Sequence, residues 1–124
     1  MTNTVPQIVK AWARRIKQRN PKKQLRLYGN SPILLATYDT LLVGKDELYN
    51  YFVDFLDKED LNCEINENYT QNYIGRDMSV ASGTYTFTFI NDRGIYTEVE
   101  ARYSFVIVGN KIINHHSSLV PAEN

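Results

Sequence analysis

The residues best suited to chemistry lie together near the end of the chain, in the segment Asn114-His115-His116-Ser117-Ser118. It holds both histidines of the chain, followed by two hydroxyl side chains. An imidazole ring ordinarily titrates near neutral pH, so it can take, give or relay a proton. The surrounding pattern predicts a strand, and neighbouring side chains on a strand point to opposite faces of the sheet. We therefore expect one histidine to face the interior and the other to face outward.

This arrangement disfavours two common kinds of catalytic site. Histidines on opposite faces cannot easily share one ion, and the chain has a single cysteine, no HExxH motif and no third histidine, so we predict neither a metal site nor a cofactor. His115 and Ser117 share a face, but a serine two residues from a histidine on a strand is seldom aimed at it, and no Gly-x-Ser-x-Gly elbow is present. The pattern therefore does not support a serine hydrolase.

Composition limits the class of partner and the compartment. The 14 Lys and Arg residues balance the 14 Asp and Glu residues, so no net field favours nucleic acid. No window approaches the roughly 18 consecutive apolar residues of a membrane span. The start of the chain lacks the basic and apolar regions of a signal peptide, and the lone Cys63 fits a reducing compartment. We predict one cytoplasmic domain over residues 1–124, with no nucleic-acid or membrane partner.

Hydrophobic periodicity predicts helices in the first part of the chain. The capping-box spacing of Thr4 and Gln7, with Pro6 in the first turn, predicts a helix from about residue 5. Its apolar face comprises Ile8, Val9, Trp12, Ala13 and Ile16. Asn20 and Pro21 predict a second, short helix that runs to Leu27, before a break at Gly29-Asn30. A third helix is expected over residues 44–56.

Alternation predicts strands in the remainder. The apolar run 33–37 is expected to be extended, and period-two segments follow at 61–67, 69–74, 80–90, 95–108 and 111–119. The fold class is therefore α+β, with N-terminal helices packed on a curved antiparallel sheet that leaves a lined cavity.

The strand over residues 95–108 has two different faces. One is apolar and comprises Val99, Ala101, Tyr103, Phe105 and Ile107; the other comprises Glu98, Glu100, Arg102 and Ser104. Arg102 has two interpretations at this point. It attracts an anion if its face is the inner one, and it forms a salt bridge with Glu98 or Glu100 if its face is solvated.

Four segments carry a resemblance to a known family. They are residues 33–37, 51–56, 101–106 and 115–121, and they resemble the association domain of calcium/calmodulin-dependent protein kinase II and its stand-alone bacterial relatives. The resemblance implies a nuclear transport factor 2-like cone fold. The His-His-Ser-Ser-x-x-Pro ending is most similar to iota-class carbonic anhydrases, whose metal-free members hold bicarbonate with a Thr, a Tyr and a Ser. These fall on Thr37, Tyr51 and Ser117, while the loop 38–44 is shorter than in those relatives.

The resemblance implies metal-independent, reversible hydration of carbon dioxide to bicarbonate. Hydroxyls of Thr37, Tyr51 and Ser117 would position water and product, and His115 or His116, with a near-neutral pKa, would relay the proton. Arg102 and Ser118 are the further candidates for binding the anion. The expected partners are carbon dioxide and bicarbonate or another small anion, and a second copy in a homodimer or higher homo-oligomer.

Two other functions remain open. One is a non-enzymatic oligomerisation or small-ligand-binding module, as in the kinase relatives, with the apolar face of Val99, Tyr103, Phe105 and Ile107 as its interface. The other is an isomerase-like pocket enzyme, which needs a buried Asp or Glu as general base. Asp39 is the candidate carboxylate near the expected mouth, although a solvated turn residue is its simpler interpretation.

Overall fold

A computed structural model describes residues 4–37 and 40–121 of the chain. The helices are α1 (Gln7–Ile16), α2 (Pro21–Leu25) and α3 (Lys45–Phe55). The strands are β1 (Tyr28–Leu35), β2 (Leu41–Val43), β3 (Glu59–Ile74), β4 (Met78–Ile90), β5 (Tyr96–Val108) and β6 (Lys111–Leu119). No helix among the described residues has the length and apolar character needed to cross a membrane.

Helix α1 is amphipathic, as predicted, but it starts later. Its N-cap is Pro6 rather than Thr4, so the N-cap position predicted from the capping-box spacing is wrong. Proline presets the backbone angle for entry into a helix. The apolar face, which includes Val9 and Trp12, is buried.

The entry to β1 differs from the prediction. Asn20 caps α2 by accepting a hydrogen bond from the Lys23 backbone N–H, as expected, but the helix ends at Leu25. The predicted break at Gly29 and Asn30 falls inside β1, where the pairing with β6 shifts register between Tyr28 and Ile33. A β-carbon added at Gly29 would meet the Ile113 side chain at 3.5 Å, an ordinary van der Waals distance, so packing does not require glycine at this position.

Helix α3 is preceded by Gly44, whose backbone conformation favours glycine. Gly44 has φ of 87°, in the region that disfavours side chains. The Glu47 carboxylate reaches back to accept a hydrogen bond from the Val43 N–H at 2.9 Å, and Asp46 adds negative charge at the positive end of the helix. The predicted third helix is confirmed, and it presents Leu48 and Phe52 to the core.

All strands join one sheet in the order β2-β1-β6-β5-β4-β3. Neighbours are antiparallel except β1 and β6, which run parallel and pair Leu34 with His115. The two segments predicted at 61–67 and 69–74 form the single strand β3, with a register shift between Asn66 and Gln71. The α+β class with helices packed on one sheet is confirmed, but the sheet is mixed rather than wholly antiparallel, because β1 and β6 run parallel.

The helices cover one face of this curved sheet, here called the inner face. The core lies between them, and it takes in the apolar face of β5, including Tyr103, Phe105 and Ile107. The interpretation of that face as an interface between copies is therefore wrong, because the chain's own helices and strands already bury it. The opposite, outer face of the sheet has no helix in the described residues.

Candidate functional site

A small cavity lies between helices α1 and α3 and the inner face of the sheet. It is lined by Trp12, Leu34, Thr37, Tyr51, Phe52, Phe55, Tyr85, Phe87, His115 and Ser117. We call it the central cavity. Its volume of about 10 Å³ has room for roughly one water molecule. The structure thus brings together Thr37, Tyr51, His115 and Ser117, which the sequence placed in one site.

These residues come from separate elements. Thr37 follows β1, and His115 and Ser117 stand two positions apart on β6, so they share the inner face. Tyr51 comes from α3, where its ring stacks on Phe55 at 5.4 Å between centroids. The cavity therefore depends on the docking of a helix onto two strands from distant parts of the chain.

A continuous hydrogen-bond chain runs through this site. Its closed end lies in the core, where Trp12 Nε1 donates to Tyr28 Oη at 3.0 Å. Tyr28 Oη lies 2.9 Å from His115 Nδ1. The other ring nitrogen, Nε2, lies 3.2 Å from Tyr85 Oη. Both nitrogens of His115 are therefore occupied by tyrosine hydroxyls.

The open end of the hydrogen-bond chain reaches the central cavity. Tyr85 Oη donates to Ser117 Oγ at 2.7 Å, and Ser117 Oγ lies 2.5 Å from Thr37 Oγ1. The ring of Tyr85 is held by stacking against Trp12 at 5.5 Å. Thus the hydroxyls at the cavity connect, through neutral groups, to an indole in the core.

Burial keeps His115 uncharged. Desolvation, with a smaller contribution from His116, lowers its pKa from 6.5 to about 3. The ring is 1 % exposed and stacks on Phe105 at 4.0 Å. The hydrogen-bond partners described for it are uncharged tyrosine hydroxyls, so a positive charge on the ring would be costly. The expectation of a near-neutral pKa is therefore wrong for His115. At neutral pH its ring gives one nitrogen as donor and the other as acceptor.

The two tyrosines of the hydrogen-bond chain, Tyr28 and Tyr85, are also held neutral. Burial is the largest cause that raises the pKa of Tyr28 and of Tyr85, while hydrogen bonds from Trp12 and to Ser117 act weakly in the other direction. Each hydroxyl therefore keeps its hydrogen at any pH at which the protein is studied, and each can both donate and accept.

Charged side chains are absent from the described lining of the central cavity. An isomerase-like mechanism would need a carboxylate there, and the candidate Asp39 lies outside the described residues. Within the same part of the chain, no three or more His, Cys, Asp or Glu side chains are grouped so that they could hold a metal. The donor set consists of hydroxyls, one imidazole and one indole, which suits a small uncharged or weakly charged ligand.

Three predicted site residues lie on the outer face instead. His116 and Arg102 are exposed, and Arg102 Nε donates to Ser118 Oγ at 3.1 Å. Strand alternation explains this placement, because Ala101 and Tyr103 on either side of Arg102 are buried. The placement of Arg102 on an inward face is therefore wrong. In the described structure it also forms no ion pair with Glu98 or Glu100.

Sequence reasoning missed three members of the hydrogen-bond chain. Trp12 was assigned to the apolar face of α1, and its N–H was not considered. Tyr28 was placed beside a break that is in fact part of β1. Tyr85 carried the clearest signal, because it alternates with Thr84 and Thr86 on an inward-facing strand position.

Comparisons with known proteins agree with this fold. A sequence model of the calcium/calmodulin dependent protein kinase II association domain matches residues 2–121. No curated protein matches the chain.

Solved structures give the same result. A candidate calcium/calmodulin dependent protein kinase II association domain from Xanthomonas campestris is 33% identical, with a TM-score of 0.84 over 94% of this chain and 85% of that one. A nuclear transport factor 2-like superfamily protein from Salmonella enterica is 18% identical, with a TM-score of 0.81 over 95% and 89%. A candidate dehydratase of the same fold family from Streptomyces avermitilis is 13% identical, with a TM-score of 0.82 over 94% and 93%. The last two likenesses concern the fold alone. The chain belongs to the calcium/calmodulin-dependent protein kinase II association-domain family.

Proposed function

We propose that this protein is a metal-independent carbonic anhydrase, which hydrates carbon dioxide reversibly in the central cavity. The observation that carries the proposal is a chain of hydroxyls and a neutral imidazole that ends at a cavity the size of about one water molecule. Carbon dioxide is small and apolar, and the aromatic walls formed by Phe52, Phe55 and Phe87 suit it, although the walls must move apart for it to enter beside the attacking water.

The chemistry follows an uncharged route. A water molecule held at Thr37 and Ser117 attacks the carbon, so a C–O bond forms and one O–H bond of the water breaks. The released proton passes to a hydroxyl oxygen of the hydrogen-bond chain while that hydroxyl's own proton passes to an oxygen of carbon dioxide, whose C=O bond becomes C–OH. The product is carbonic acid, which ionises to bicarbonate in solution. No charge develops fully in the cavity, where an unpaired charge would be costly.

The residues have distinct roles in this route. Thr37 and Ser117 hold the water and exchange protons, and Tyr51 positions the oxygens of carbon dioxide. His115, with its pKa of about 3, stays neutral and orients Tyr85 rather than acting as a general base. Positioned proton transfer contributes about 10²- to 10⁴-fold in rate, so we expect a modest enzyme.

Stopped-flow measurement of carbon dioxide hydration on chelator-treated protein tests the proposal. We expect activity to survive chelation and to fall at least about tenfold in Tyr51→Phe and Ser117→Ala, which equals the loss of roughly one hydrogen bond. Tyr103→Phe is the matched control, because it removes a buried hydroxyl that bonds Thr70, outside the hydrogen-bond chain. Folded wild-type protein with no rate above buffer would refute the anhydrase and leave a binding or association module.

We also propose that the chain forms a homodimer or higher homo-oligomer through the outer face of the sheet. A strip of register partners crosses all strands there: Tyr73, Val80, Val106, Asn114, Ile33 and Val43. Most of them are apolar, and Tyr73 is 59% exposed and Val43 52% exposed. A mostly apolar strip on a face that no helix covers in the described residues is typical of an interface, and family membership supports association.

Sedimentation velocity tests this assembly. Val106→Glu places a charge at the centre of the strip, and we expect it to shift the protein toward monomer. Val53→Glu is the control, because Val53 is an exposed valine on α3, away from the sheet's outer face. Equal sedimentation of both variants and wild type would contradict an interface at the strip.

A further inference from the structure

We propose that Trp12 and Tyr28, at the closed end of the hydrogen-bond chain, fix the direction of all its bonds, so that the central cavity presents a hydroxyl hydrogen and selects ligands that accept a hydrogen bond. The inference rests on the proposed function only in taking this cavity as the binding site. It assigns a positioning role to Trp12, which is one of the lining residues, and to Tyr28, which is not.

The argument begins with a count of hydrogens. The chain comprises Trp12, Tyr28, His115, Tyr85, Ser117 and Thr37. With a neutral imidazole, each of the six groups carries one hydrogen that can be donated. Five contacts join the six groups, and each contact uses one hydrogen. One hydrogen is therefore left over, and the directions of the bonds decide which group carries it.

The Trp12 N–H fixes the direction of the first bond of the chain. An indole N–H only donates, so its hydrogen lies on the Tyr28 oxygen. If Tyr28 then donates to His115 Nδ1, every group passes its hydrogen toward the cavity, and the remaining one lies on Thr37 or Ser117. If the order is reversed, Tyr28 accepts from both Trp12 and His115, and its own hydrogen has no acceptor in the chain.

Burial makes the reversed order unfavourable. Tyr28 is 0% exposed, so an unused hydrogen there would lie in the core without water. Thr37 is only partly buried and borders the central cavity, where a ligand can take the last hydrogen. The donation from Tyr85 to Ser117 has the same direction. His115 is therefore the Nε2–H tautomer, with Nδ1 as the acceptor.

A ligand class follows from this direction. A small molecule that offers oxygen lone pairs, such as carbon dioxide or a compact carboxylate, completes the chain. A ligand that only donates, such as ammonium, meets the outward hydrogen and is rejected. Formate and ammonium are the two probes: both are small ions, formate only accepts hydrogen bonds and ammonium only donates them, and they also differ in the sign of their charge.

The tautomer is read directly by long-range nitrogen-15 NMR of the histidine rings. We expect Nε2–H for His115 in ligand-free wild type across pH 5 to 8, with exposed His116 as an internal reference. Trp12→Phe removes the terminal donor and leaves the Tyr28 oxygen without one, so the ratio of Nδ1–H to Nε2–H should rise about tenfold, the equivalent of one unmade hydrogen bond. Tyr103→Phe, the control, should leave the ratio unchanged. An Nδ1–H wild type overturns the proposal, and an unchanged ratio in Trp12→Phe overturns the role of Trp12.

Ligand selection is measured on the same spectra. We expect saturable shifts of the His115 ring nitrogens with sodium formate, and none with ammonium chloride at equal ionic strength. Binding of ammonium as strong as that of formate, or no saturable shift with formate, would overturn the selection. Neither readout uses carbon dioxide hydration, so failure here and failure of the proposed anhydrase are separate results.

Discussion

The two faces of β6 place the same residue types in opposite environments. His115 and Ser117 lie on the inner face, buried and joined through Tyr85, whereas His116 and Ser118 lie on the outer face with Arg102. One step along the strand separates members of each pair. The difference teaches that residue type gives a histidine or serine its range of chemistry, while the face of the sheet decides its protonation state and its partners.

The largest expected difference between the faces is in stability. His115→Leu leaves the Tyr28 hydroxyl hydrogen without an acceptor in the core, so the free energy of unfolding should fall by about 2–4 kcal/mol. His116→Leu should change it by less than about 0.5 kcal/mol. Urea denaturation at several protein concentrations measures both and separates any effect of assembly. Equal losses in the two variants would contradict the comparison.

Acid should lower the stability of the fold through His115, the histidine on the inner face. The folded-state pKa of His115, about 3, lies below its ordinary value of 6.5, so between these values the unfolded chain binds the proton and the folded chain does not. Stability is therefore full above pH 6.5 and falls as pH drops toward 3. One such group removes about 2 kcal/mol between pH 7.5 and 5. Urea midpoints across this range test it, and His115→Leu should remove this part of the slope.

Ser117 and Ser118 should differ in their effect on the hydration rate, by a smaller free energy than the histidines differ in their effect on stability. Under the proposed function, Ser117→Ala lowers the rate of carbon dioxide hydration about tenfold, which corresponds to about 1.4 kcal/mol of activation free energy. Ser118→Ala should match wild type, because its hydroxyl bonds Arg102 on the outer face. A loss of equal size in Ser118→Ala, measured by stopped flow, would mean that the outer face takes part in the reaction.

The smallest effect is expected at Arg102. Its side chain is exposed and hydrogen-bonded to a serine hydroxyl, so Arg102→Ala should change the free energy of unfolding by less than about 0.5 kcal/mol. The hydration rate should also stay unchanged, because the charge lies across the sheet from the central cavity. A clear rise in the bicarbonate concentration needed for the reverse reaction would return Arg102 to the list of binding residues.

Local patterns were sufficient to predict most elements. The amphipathic faces of α1 and α3 and the alternation in β4, β5 and β6 directly reflect burial on one side, so the sequence predicts the faces as well as the elements. Gly29 shows the limit of this approach. It reads as a break, but the chain continues as strand β1, whose pairing with the distant β6 shifts register between Tyr28 and Ile33.

The site was only partly predictable for a related reason. Thr37, Tyr51 and Ser117 came from a family resemblance, and alternation correctly implied that only one histidine is internal. The hydrogen-bond chain behind them depends on the packing of α1 against the sheet, which brings Trp12 Nε1 to Tyr28. Distances of this kind, and the desolvation that keeps His115 neutral, arise from tertiary packing and leave no local signal in the sequence.

The parallel pairing of β1 with β6 has a consequence for biosynthesis. Thr37 and Ser117 are 80 positions apart, so a ribosome that adds about 5–20 residues per second needs roughly 4–16 s to make the second after the first. Until β6 emerges, β1 can pair only with the short β2, and an isolated two-stranded hairpin is marginally stable. The nascent chain therefore leaves β1 without its β6 partner for seconds, and we expect chaperones that bind extended hydrophobic segments to recognise it during that time.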